Sequence, residues 1–173
     1  SAQLVMQTAH KNTRAVVVVS AMAGVTDGLL ELADRARQGH GDEVAQAVDL
    51  LERRHEDAIQ TVFSSSPAMA VQPVVDEEHA LFVSLRQALA GVATLHELTP
   101  RSRDLIVSFG ERCSAPIMSA ALRAAGLTSR SLTGGEAGIV TDDTFGSAAP
   151  LLEIARKTVP RALTPLLDRG LTP

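Results

Sequence analysis

The sequence predicts an α/β layered domain with a mainly parallel sheet, and three features carry that prediction. A continuous β-branched run at 15–20 (AVVVVS) follows a polar turn, as a strand buried on both faces of a parallel sheet would. Small residues and Gly24 come directly after it and lead into an apolar helical face, which makes a strand, a turn and a helix. The remaining order of helices, strand and helix fits one layered domain over 1–173, with too few strands visible for a finished sheet.

Each element has its own signals. Residues 1–14 read as a helix entered partway, without the basic start and apolar stretch of a secretory leader. After the strand, Leu29, Leu30, Leu32, Ala33 and Ala36 form the apolar side of a helix that ends near Gly39. A long amphipathic helix is expected over 42–63, with Asp42 and Glu43 complementing its dipole. The segment 64–73 (SSSPAMAVQP) should break it, and helical spacing resumes over 74–98. These two helices should pack as an antiparallel pair, with apolar stripes that serve either as core or as a partner face.

Thr99-Pro100 is a helix start, with the hydroxyl residue as N-cap and proline in the first turn. Gly110 and Pro116 lie inside the helix that follows and predict a kink or a close backbone approach, and Gly126 ends it. A short strand is expected at 127–132 and another at 137–140 within a turn-rich loop. Residues 151–168 read as one helix or as two, with Pro160 able to start the second.

Composition narrows the function classes. With 45% hydrophobic residues the chain can bury a core, and a net charge of −4 without charge blocks gives no reason to expect nucleic acid or a membrane surface as partner. Trp and Tyr are absent, which removes the platforms on which single-stranded nucleic acids stack. Cys113 is the single cysteine, so no intramolecular disulfide forms and a cytoplasmic location is expected.

Two segments have the makings of a site. At 20–28 a strand enters a small-residue turn and then a helix, placing the hydroxyls of Ser20 and Thr26 and free backbone amides where α/β folds bind ligands. The helix start favours an anion, although Thr26 or Asp27 as a simple helix cap fits the same spacing. At 108–112 (SFGER), Gly110 removes the side chain next to Glu111. That carboxylate either faces solvent or, if buried, needs a cationic partner or a ligand amine.

The five histidines read as surface residues without metal-ligand spacing, Cys113 as a small buried residue, and Asp142-Asp143 as a turn. No metal site is expected, and neither a GxxxxGK[ST] loop nor a GxGxxG fingerprint is present.

Three segments in order resemble the aspartokinases of the amino acid kinase family. They are VVVVSAMAGVTDGLLELA (16–33), LTPRSRDLIVSFGERCSAPIMSAAL (98–122) and GGEAGIVTDDTFGSA (134–148), with a helical insertion at about 42–98. The resemblance implies an incomplete three-layer α/β/α sandwich without a regulatory ACT domain. It also implies phosphoryl transfer from ATP, with Mg2+, to the β-carboxylate of L-aspartate, in the route to lysine, threonine and methionine. By the same resemblance Ser20 lies near the ATP γ-phosphate, Gly24 and Thr26 belong to the aspartate site, and Glu111 meets the substrate ammonium.

The family's Lys-Phe-Gly-Gly-Thr-Ser and Gly-Arg-Gly-Gly-Ser-Asp segments are not in the sequence. The chain is therefore expected to carry the aspartate side of the site, to have no dedicated ATP-holding residues and to be inactive alone, with a homo-oligomer as the parent. Two alternatives stand beside this reading: a non-catalytic dimerisation module, and another amino acid kinase of the acetylglutamate or uridylate type.

Overall fold

In the computed structural model, residues 15–64 and 68–173 are described; the helix expected at 1–14 lies outside them. The described residues form five helices: α1 (Val25–Arg37), α2 (Gly41–Val62), α3 (Ala68–Leu95), α4 (Pro100–Ala124) and α5 (Leu152–Asp168). The chain divides into two compact units, one of residues 20–114 and one of residues 15–19 with 115–173, and the division falls inside α4.

The unit of 20–114 is a helical assembly in which α1, α2 and α3 pack on one another. Its core joins Val25, Leu29 and Leu32 of α1, Val44 and Val48 of α2, Phe82, Leu85 and Leu89 of α3, and Ile106 and Phe109 of α4. The apolar stripes of α2 and α3 are thus core within their own unit, as burial of one helical face dictates.

Ion pairs along the α2/α3 seam run in opposite chain directions, Asp49 to Arg86 and Glu52 to both His79 and Arg86, as in an antiparallel pair. Residues Asp42 and Glu43 occupy the first turn of α2. Thr99 caps α4, its Oγ1 accepting the Ser102 amide at 3.1 Å.

Several boundaries differ from expectation. Helix α3 begins at Ala68 and runs through Pro73 instead of starting after it. Pro73 stands in the second turn, where it removes one backbone hydrogen bond and its ring crowds the carbonyl four residues back, yet the helix is continuous through it. Helix α4 continues through Gly110 and Pro116. Gly110 serves a close approach: a Cβ there would lie 2.8 Å from the Cβ of Ala21. Residues 151–168 give a single helix, α5, that includes Pro160 and Pro165.

The expected sheet is not seen among the described residues, which form no strand. The run at 15–20 takes no regular secondary structure, with Val18 90% exposed. Its amide contact is Val17 N–H to the Pro173 carbonyl at 3.0 Å. A strand is defined by its ladder, and one bond does not make one.

At 127–132 the expected strand is reduced to a parallel bridge between Ser129 and Thr172. The Thr172 amide donates to Thr128, and the Arg130 amide donates back to Thr172. The predicted strand at 137–140 is a turn running into extended chain, closed by an antiparallel bridge between Thr141 and Pro150. Gly126 (φ 89) ends α4 as expected, with the Leu127 amide returning to the Leu122 carbonyl.

Candidate functional site

Within the unit of 20–114 the turn at 20–24 meets α4. Ser114 Oγ donates to the Ser20 carbonyl at 2.8 Å, and the Ala21 amide donates to Glu111 Oε1 at 3.3 Å. The absent side chain of Gly110 makes the room for Ala21. Arg54 of α2 reaches the same turn, its Nη2 donating to the Ala23 carbonyl at 2.7 Å. Two helices distant in sequence, α2 and α4, thus converge on five residues of backbone.

Gly24 makes the turn, with φ 75 and ψ −1 in the left-handed region that glycine adopts without strain. It occupies the N-cap position of α1, where it offers no side-chain cap. Thr26 is half-buried in the first turn of α1, and neither it nor Asp27 caps the helix, so the capping role is corrected. The amides of Thr26 and Asp27 make no hydrogen bond among the described residues. Unmet amides at a helix start, with the dipole behind them, favour a carboxylate or phosphate oxygen.

Glu111 is exposed and held by one oxygen to the turn, so of its two expected environments the solvent-facing one is observed. Arg112 stacks on Phe109, its guanidinium carbon 4.3 Å from the ring centroid. Ser20, exposed, precedes the turn. All four predicted residues, Ser20, Gly24, Thr26 and Glu111, therefore belong to one locality, with an acid beside an anion-favouring helix start. A ligand carrying both an ammonium and carboxylates matches that pairing.

Arg54 and Ser114 were not visible as site residues in the sequence. Arg54 has no motif around it, and only the packing of α2 brings it across the intervening 31 residues. Ser114 is one of several serines in α4, distinguished by its hydrogen bond alone.

A second polar group of residues lies in the helical core. Both carboxylate oxygens of Glu78 are buried without a hydrogen-bond partner, and burial pushes its carboxyl up to about 8, offset in part by Cys113. Cys113 is buried as expected, and burial raises its thiol, with Glu78 adding to the effect.

His55, expected at the surface, is 1% exposed. Its Nδ1 donates to the Leu51 carbonyl at 2.8 Å, its ring meets Phe82 edge-on at 5.3 Å, and burial lowers its pKa. An imidazole spends its polarity on one backbone carbonyl and packs the rest as an aromatic, which polar flanking residues conceal in the sequence.

In the other unit, Asp142 Oδ1 accepts the amides of Thr144 and Ala149, which is the turn role expected. Among the described residues no group of three His, Cys, Asp or Glu side chains stands together as a metal site, and no helix is long and apolar enough to cross a membrane.

The sequence profile of the amino acid kinase family matches residues 2–173, and the chain belongs to that family. Within it the chain is similar to aspartokinases. Chloroplastic aspartokinase 3 of Arabidopsis thaliana is 36% identical over 148 residues, which are 86% of this chain and 25% of that protein. Chloroplastic aspartokinase 2 of the same plant is 33% identical over 87% of this chain and 26% of its own length.

The chain thus spans about a quarter of the length of these relatives. The structure of Escherichia coli aspartokinase III in complex with aspartate and ADP superposes with a TM-score of 0.80 at 23% identity, covering 99% of this chain and 35% of that one. The chain therefore has the amino acid kinase fold.

Proposed function

We propose that residues 1–173 are part of a single aspartate kinase catalytic domain that passes the γ-phosphoryl group of ATP to the β-carboxylate of L-aspartate, giving 4-phospho-L-aspartate for lysine, threonine and methionine synthesis. The observation that carries the proposal is the convergence of Glu111 and the start of α1 through the Ala21 amide. The aspartokinase identities of the relatives support the same choice of substrate.

Glu111 pairs with the substrate ammonium, and the amides of Thr26 and Asp27 receive a carboxylate. Gly24 lets the chain turn between them, and Ser20 stands toward the phosphoryl donor. Among the described residues no cluster of three His, Cys, Asp or Glu side chains is present to hold Mg2+. A buried lone cysteine suits a reducing, cytoplasmic setting.

Catalysis of phosphoryl transfer is mostly positioning and charge stabilisation of the phosphates. In this reading the chain binds aspartate without consuming ATP, and it acts catalytically within a homo-oligomeric parent.

Titration of the 15N-labelled chain with L-aspartate is expected to shift the amides of 20–28, and Glu111→Gln to weaken binding about tenfold, roughly 1.4 kcal/mol. Stronger shifts with N-acetylglutamate or UMP would reassign the substrate. ATP turnover at a normal rate by the chain alone would sink the division of labour proposed here.

A further inference from the structure

Helix α2 touches the candidate site through one side chain. Arg54 Nη2 donates to the Ala23 carbonyl at 2.7 Å, while Ser114 holds the Ser20 carbonyl and Glu111 the Ala21 amide. Three neighbouring groups of the turn are each fixed by a different side chain, and Arg54 is the one supplied by the helical insertion.

The Ala23–Gly24 peptide is trans, so its carbonyl and the Gly24 N–H point in opposite directions. Fixing the carbonyl on Arg54 therefore fixes the direction of the Gly24 N–H on the opposite side, just ahead of the Thr26 and Asp27 amides. Gly24 needs such a restraint, because a left-handed glycine without a Cβ contact has more backbone freedom than any other residue. The guanidinium adds positive charge beside an already positive helix start, with the screening that an exposed group carries.

We propose that Arg54 is a positioning residue of the aspartate site: it holds the Ala23–Gly24 peptide so that the amides of the turn are aimed at the substrate carboxylate. This rests on the aspartate reading above. It gives the helical pair a second task beyond its own core, since the orientation of α2 sets where the guanidinium stands. A single hydrogen bond to a carbonyl asks for a long cationic donor and not for a planar fork, so lysine should replace arginine in part.

The test compares the whole chain with Arg54→Ala and Arg54→Lys, by backbone amide hydrogen exchange and by L-aspartate titration. Arg54→Ala is expected to speed exchange of the Val25 and Gly28 amides, which the turn itself bonds through Met22 and Gly24, about tenfold, to leave those of Leu85 and Leu89 unchanged, and to raise the aspartate Kd about fivefold. Arg54→Lys should recover at least half of both effects on a logarithmic scale.

Unchanged exchange at Val25 and Gly28 overturns the brace, as does faster exchange spread equally through α3, which marks general loosening. Faster local exchange with an unchanged Kd overturns the role in binding. If the unaltered chain binds no aspartate, the substrate assignment and the role of Arg54 in it both fall, and exchange alone decides whether Arg54 holds the turn.

Discussion

Residues 20–114 and residues 125–173 treat their apolar side chains in opposite ways. The first region closes a core through four helices, with Phe82, Leu85, Leu89, Leu29 and Ile106 almost wholly buried. In the second, α5 buries only Leu163 along its 17 residues, while Phe145, Ile139, Val140, Leu152 and Ile154 stay exposed.

The contrast separates two sources of helical order. Helices α1 to α3 are held by tertiary packing of amphipathic faces, whereas α5 buries one side chain and is tied to the preceding loop through backbone, with Gly138 against Thr158 and the Thr158 hydroxyl donating to the Gly138 carbonyl. The candidate site is built entirely on the first kind of support.

The sharpest way to break this comparison is a cavity in the helical core. Phe82→Ala removes a fully buried ring that contacts His55, and should cost about 4 kcal/mol, read as a lower urea midpoint.

Next in size is a pH effect confined to the same core. Glu78 ionises near its ordinary 4.5 when unfolded and at about 8 when folded, so the folded state keeps a proton that the unfolded state has lost, and stability falls as pH rises through that window. His55 acts in the opposite sense. Its folded pKa lies below the ordinary 6.5, so stability falls as pH drops below that value.

The two slopes oppose one another just below 6.5, and only that of Glu78 operates from 6.5 to 8. Over the upper interval the chain should lose about 2 kcal/mol, and Glu78→Gln should remove most of that loss. An equally steep decline in the variant would show that the buried carboxyl is not its source.

The smallest effect belongs to the other region. Leu152→Ser alters an exposed position on α5 and should change stability by less than about 0.5 kcal/mol, in a denaturation experiment run beside that of Phe82→Ala. A cost near that of the Phe82 change would mean that α5 is held by packing after all.

What could be read beforehand followed local rules. The Thr99 cap, the ends of α1 and α4 near Gly39 and Gly126, and the apolar stripes of α2 and α3 each depend on residues within a turn or two of one another. Ser20, Gly24, Thr26 and Glu111 came together because a motif resemblance carried the long-range information that spacing lacks.

The sheet did not follow in the same way. Valines at 16–19 satisfy a strand's side-chain preferences, but a ladder also needs a neighbouring backbone, which lies outside the reach of local pattern. Arg54 and His55 show the same limit from adjacent positions, one drawn to a carbonyl at Ala23 and the other turned inward against Phe82.

The contact between Ala21 and Gly110 has a consequence for how such sequences vary. With the Cβ of Ala21 only 2.8 Å from where a side chain at 110 would begin, the two positions share one small volume. Growth at either site requires the other to stay minimal, so substitutions at 21 and 110 should be correlated across a lineage. A glycine at 21 is the one change that would let alanine enter at 110 without moving α4 away from the turn.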